Sequence, residues 1–184
     1  MSRGYSVAQT ARLVCALRWT CGRLSEMLDG WAVEAAEAGE RHAEAAVRLA
    51  ELGRRLASHR ETLDGLQPDS VLMAPWRQAA PADQALVEAL DEIAGLEGPL
   101  ERLAVAEEVF VPELSDAYRQ IGEHAAPHCD AALASATRAL QHDLDREDSS
   151  AGVAQPGAVE AADRVLTAAG GIVESSLLRP VDWP

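Results

Sequence analysis

Residues 17–31 read LRWTCGRLSEMLDGW, and within them Leu17, Cys21, Leu24, Leu28 and Trp31 recur at steps of three and four. That spacing puts all five side chains on one face of an α-helix. Working outward, similar stripes appear in four later segments. Ala45, Leu49, Leu52, Leu56 and Leu63 form one; Leu86, Leu90 and Ile93 another. A third runs Leu100, Leu103, Glu107, Phe110, Leu114, Ala117 and Ile121, and a fourth Leu133, Thr137, Leu140 and Leu144. No stretch alternates convincingly at period two, so the pattern predicts an all-α bundle of amphipathic helices.

Local signals set the expected boundaries. Ser6-x-x-Gln9 has the form of a capping box and opens a first helix that runs to about residue 36. Gly22 and Gly30 fall inside it, each costing about 1 kcal/mol relative to Ala, which points to a close helix neighbour. A second helix spans about 40–64, with Gly65 as its stop. Residues 66–81, LQPDSVLMAPWRQAAP, contain Pro68, Pro75 and Pro81 yet also Val71, Leu72, Met73 and Trp76; they read as a strap across one end of the bundle. A short extra helix covers about 82–96 and ends by Gly98-Pro99. The fourth helix starts near Pro99, a favoured first-turn residue, and is interrupted by Pro112, whose missing N–H costs about 3 kcal/mol in a helix interior. The fifth is capped by Asp130. Residues 145–157 make a polar hinge, and a last helix over about 158–178 ends in the loose tail RPVDWP. The expected organisation is a bundle over 1–147, with a hinge and C-terminal helix over 148–184 packed on it.

A chain of 184 residues suits one domain with a sizeable core. With one Phe and aromatics at only 4%, that core must be built mainly from Leu, Ala and Val. The formal charge of −14 is uneven: residues 1–60 carry nine Arg against seven acids, and the remainder seven Arg against twenty-three. So acidic a surface repels phosphate backbones and excludes nucleic acid as a partner. The start of the chain is the exception, with Arg3, Arg12, Arg18 and Arg23 and no acid among the first twenty-five residues. These arginines either touch an anion or a membrane surface or pair with the acidic later helices; pairing is the simpler expectation. Cys15, Cys21 and Cys129 are odd in number and lack C-x-x-C spacing, which argues against a disulfide scaffold. Nothing resembles a signal peptide or membrane span, so a cytoplasmic location is expected.

Chemistry is less legible. In di-iron bundles Glu-x-x-His pairs face the core, and no His here has a carboxylate three or four residues before it. His124, His128 and Cys129, with Asp130, form the densest coordinating cluster, but Pro127 breaks the helix between the two His residues. A polar turn with Asp130 as helix cap is the simpler reading, and no metal or other cofactor is assigned. Glu107 lies on an apolar stripe, where a carboxylate needs a partner; Arg18 or Arg23 is the expected one. Tyr118 and Thr137 near the same core either line a pocket or make core hydrogen bonds. There is no G-x-S-x-G elbow, P-loop or Rossmann glycine pattern.

An ordered set of short motifs adds to this. Leu17-Arg18-Trp19, Arg23-Leu24 and Leu28-x-Gly30-Trp31 are followed by Gly53-Arg54-Arg55-Leu56. Then come Leu103, Val111-Pro112-Glu113-Leu114, Tyr118-Arg119, Ala126-Pro127-x-x-x-Asp130 and Thr137-Arg138-Ala139-Leu140. Over roughly residues 10–147 this order resembles a group of actinobacterial ferritin-like helical proteins. The resemblance implies an up-down four-helix bundle, in some members beside genes of specialised metabolism. Metal-binding relatives carry inward His and carboxylates on the second helix; the inward residues here are Leu49, Leu52 and Leu56, so no ligands carry over.

The functional expectation is therefore a small-molecule-binding or accessory protein without a di-metal site, whose partner is a hydrophobic small molecule or another protein. The pocket candidates are Glu107, Tyr118, Arg18, Arg23, Thr137 and Trp76. Two alternatives stand beside it. One is an enzyme of specialised metabolism, either cofactor-free or with atypical metal ligands. The other is a structural homodimer joined through the C-terminal helix and tail.

Overall fold

A computed structural model describes residues 2–66, 75, 78–125, 130–145, 155–173, 175 and 177–183. Among the described residues the fold is all-α apart from one pair of three-residue strands. Strand β1 (Ser2–Gly4) leads into α1 (Val7–Glu37); a 3₁₀ turn at Glu40–His42 leads into α2 (Ala43–Asp64). Helix α3 spans Gln84–Ala94, α4 Pro99–Val105 and α5 Val111–His124, with a π-helical turn, Ala106–Phe110, joining the last two. Helices α6 (Ala131–Asp145) and α7 (Pro156–Ala168) follow, then β2 (Val181–Trp183). Helix α1 packs along α2, α5 along α6, and α7 on α3 and α4, while α2 also meets α4 and α6.

The stripes read from the sequence are the buried faces. Leu17, Cys21, Leu24 and Leu28 are fully enclosed, as are Leu49, Leu56, Leu63, Leu90, Phe110, Leu114 and Ile121. Trp31 stacks on Phe110 with ring centroids 6.2 Å apart, and the Arg102 guanidinium lies 5.6 Å over the Trp31 ring. Arg102 also donates to Glu34 at 2.6 Å and to the Leu96 carbonyl at 2.6 Å.

Ser6 caps α1 by accepting from the Gln9 N–H at 3.2 Å. The reciprocal arm of the capping box is diverted: the Gln9 amide instead donates to the carbonyls of Leu177 and Arg179, at 3.0 and 2.6 Å. Glycine placement corrects one expectation in part. A methyl added at Gly30 would meet nothing within 4 Å, whereas one at Gly22 would stand 3.2 Å from the Arg60 side chain of the neighbouring α2. The close α1–α2 approach is at Gly53, whose carbonyl accepts from the Ser25 hydroxyl at 2.9 Å. Gly65 follows the last residue of α2 with φ −67, so that end needs no left-handed residue.

The expected interruption at Pro112 takes the form of a π turn just before it, so the chain stays helical while the α-helical run is divided. The Val111 N–H donates to the Ala106 carbonyl, five residues back, and the chain passes through this wider turn from α4 into α5. Proline cannot donate to the carbonyl four residues before it and crowds it; one π turn relieves both demands.

The C-terminal region departs most from expectation. Helix α7 stops at Ala168, about ten residues early, because Gly170 and Gly171 adopt φ of 91 and 90. Only glycine takes such angles without strain. The chain then folds back along α1: Thr20 donates to the Ile172 carbonyl and Tyr5 to that of Leu178. The tail is not loose, since Val181–Trp183 pairs antiparallel with Ser2–Gly4. Three-residue strands are too short to reveal an alternating pattern. The apolar residues Ala162, Leu166, Ile172, Val173 and Leu177 are all buried within the one chain.

Candidate functional site

Two places bring polar groups together. The first lies in the core, where α1, α2, α5 and α6 each contribute one residue. The Tyr118 hydroxyl is 3.2 Å from Cys21 Sγ and 3.2 Å from His59 Nδ1. His59 Nε2 is 3.1 Å from Asp143 Oδ2, which Arg55 Nε also approaches at 3.4 Å. Cys21 and Tyr118 are fully buried and His59 nearly so, whereas the Asp143 side chain is 46% exposed. The chain of bonds thus runs from the centre of the bundle to its surface.

Burial sets the charge state of these groups. It pushes the Cys21 thiol up to about 11, a rise that its bond to Tyr118 partly offsets. It raises the Tyr118 phenol well above its ordinary range, and the neighbouring Cys21 adds to this. It lowers His59, against the opposing pull of Asp143. Neutral imidazole, phenol and thiol are the forms present at pH 7, so His59 and Asp143 make a hydrogen bond to a carboxylate and not an ion pair.

The neutral imidazole has one donor and one acceptor. A carboxylate only accepts, so Nε2 carries the hydrogen and Nδ1 accepts from Tyr118, whose oxygen accepts from the Cys21 thiol. Every member is satisfied. A network of this kind fixes how helices sit against one another. No substrate atom reaches Tyr118 Oη in this arrangement, because its residue exposure is 0%.

The second place is an open groove of about 490 Å³ between the start of α1 and the returning C-terminal segment. Ser6, Ala8, Gln9, Arg12, Leu177, Arg179 and Pro180 line it. The Gln9 and Tyr5 bonds to the carbonyls of residues 177–179 hold its two walls together. The first turn of α1 contains no acid, no lining residue among the described residues is a carboxylate, and Arg12 and Arg179 are both exposed. On a chain of net charge −14 this is a local reversal of sign.

The residues singled out from sequence fall differently. Glu107 is not paired with Arg18 or Arg23 but with Arg48, at 2.5 Å, and its side chain is 19% exposed. The π turn moves it to the edge of the core. Arg18 pairs with Asp64, and Arg23 with Asp91 at 2.7 Å, so these two arginines do bind acids of later segments. Thr137 is a core hydrogen-bonding residue, donating to the Leu133 carbonyl at 2.9 Å within its own helix. Only Tyr118 belongs to the core chain. The His124 ring stands edge-on to Tyr5 at 6.2 Å. Trp76 with most of the strap, and His128 and Cys129, lie outside the described residues. Among the described residues, no three His, Cys, Asp or Glu side chains gather into a metal-holding group, and no helix is long and apolar enough to cross a membrane.

His59 and Asp143 were missed. His59 completes the stripe Leu52, Leu56, His59, Leu63 at steps of four, three and four, and a histidine on an apolar face signals a buried partner. Asp143, beside inward Leu144, offered no comparable sign.

No model of a known protein family, no curated protein and no solved structure matches the chain.

Proposed function

We propose that this protein is a ferritin-like helical bundle acting as a small-molecule-binding accessory protein, and that it takes an anionic ligand with an apolar portion in the groove between α1 and the C-terminal segment. The supporting observation is the pairing of Arg12 and Arg179 with Ala8, Leu177 and Pro180 in one cleft whose described lining residues include no carboxylate. Two guanidiniums suit a carboxylate or phosphate group, and the apolar residues suit a hydrocarbon portion. The N-terminal end of a 31-residue helix adds a favourable dipole. The two buried free thiols, Cys15 and Cys21, suit the reducing cytoplasm.

Calorimetric titration with octanoate, and with octanol as the uncharged control, tests the reading. Octanoate binds the wild type more tightly than octanol does. The double variant Arg12→Gln/Arg179→Gln loses at least tenfold in octanoate affinity, about 1.4 kcal/mol. Equal binding of the two probes, no binding of octanoate, or an unchanged double variant defeats it.

A further inference from the structure

The chain Cys21–Tyr118–His59–Asp143 has a directional property that is independent of the groove. In its neutral form every hydrogen bond runs one way on either side of the imidazole: thiol to phenol to Nδ1, and Nε2 to carboxylate. His59 is the only member whose ordinary titration range lies near neutrality. When it takes up a proton, Nδ1 becomes a donor. Tyr118 must then accept from His59 and turn its own hydroxyl hydrogen toward Cys21 Sγ. The thiol, a weak donor, gives up its bond at little cost.

We propose that this chain is a pH-operated polarity switch, in which one proton gained at His59 reverses the sense of the bonds between α2, α5 and α1. Asp143, the one half-exposed member, accepts from Nε2–H in both states and faces the charge that forms on the ring. The proton is taken at Nδ1, the ring's one basic lone pair, while Nε2 keeps its hydrogen and its 3.1 Å bond to Asp143 becomes a bond between imidazolium and carboxylate. The groups that face His59 are few. Among the described residues they are Tyr118 from α5, with Cys21 of α1 behind it, Asp143 from α6 and, on its own helix, Arg55. Asp143 favours the protonated state, while Arg55 and burial oppose it. One residue from each of four helices takes part, so the reversal acts on the packing of all four.

The test is a pH titration of the full chain by NMR, with nitrogen-15 in the imidazoles and carbon-13 in Tyr and Cys. At pH 7.5 His59 shows the tautomer with hydrogen on Nε2. On acidification the His59 nitrogens, the Tyr118 ring carbon bearing oxygen and the Cys21 β-carbon shift with one midpoint below 6.5 while the protein stays folded. Asp143→Asn moves that midpoint lower. Tyr118→Phe leaves the His59 titration in place and abolishes the Cys21 response; if this variant does not fold, the wild-type titration alone decides. The proposal is overturned by the opposite tautomer at pH 7.5, by Tyr118 and Cys21 resonances that ignore the His59 titration, or by global unfolding before His59 titrates.

Discussion

Tyr118 and His59 meet with 3.2 Å between Oη and Nδ1 at a point where no water reaches either atom's residue surface appreciably. Removing the phenol oxygen leaves a buried ring nitrogen without its donor. Tyr118→Phe is expected to lower unfolding stability by about 1–3 kcal/mol, the cost of an orphaned buried polar group. Urea denaturation followed by circular dichroism measures it, and a loss below about 0.5 kcal/mol would show that the bond is not formed.

The burial of His59 governs the acid response. Burial holds folded His59 below its ordinary 6.5, so between that lower value and about 6.5 the unfolded chain binds more protons than the native one. Stability therefore rises with pH across this window and is lost as pH falls from about 6.5 toward the folded value. His59→Gln, which keeps a donor and an acceptor without titrating, should flatten that part of a Tm-against-pH curve. Parallel curves for the two proteins would contradict this.

Cys21 should be chemically silent. A fully buried thiol pushed up to about 11 exposes almost no thiolate at pH 8. Alkylation by iodoacetamide, read by peptide mass mapping, is expected at Cys21 only at the rate of unfolding. Modification within minutes under native conditions contradicts the packing described.

Two glycines should respond in opposite directions. Gly30→Ala adds a methyl where nothing stands within 4 Å and gains helix propensity, raising stability by about 0.5–1 kcal/mol. Gly171→Ala forces a side chain onto φ of 90 and should cost about 1 kcal/mol or more. Thermal unfolding of the pair is a direct comparison, and a stabilised Gly171→Ala would refute the turn.

Arg102 is not replaceable by lysine. Its planar guanidinium covers Trp31, reaches Glu34 and caps the Leu96 carbonyl at once. A single ammonium cannot reproduce that geometry. Arg102→Lys is expected to cost about 1–2 kcal/mol, combining a lost hydrogen bond with a weakened ring contact. Chemical denaturation reports the loss, and wild-type stability would argue against it.

Much of the fold was legible because helical periodicity is local. The stripe from Leu17 to Trp31, the Ser6 cap and the Pro99 start each depend on residues within a turn or two. What misled were residues whose effect depends on distant neighbours. Gln9 looked like the second half of a capping box until the returning chain offered its carbonyls. Helical spacing alone places the Gly170-Gly171 pair inside a helix, whereas the turn it makes sends Leu177 back to α1.

The amino-acid order alone determined that the chain is helical, where most of its helices start and which faces they bury, since these follow from spacing along one strand of backbone. Tertiary structure decided that Arg48 is the partner of Glu107, that Cys21, Tyr118, His59 and Asp143 join into one chain, and that Arg12 and Arg179 share a groove. Such meetings depend on how far each helix is rotated and shifted against the next. The packing of the whole core sets those two quantities, and no short window of sequence contains them.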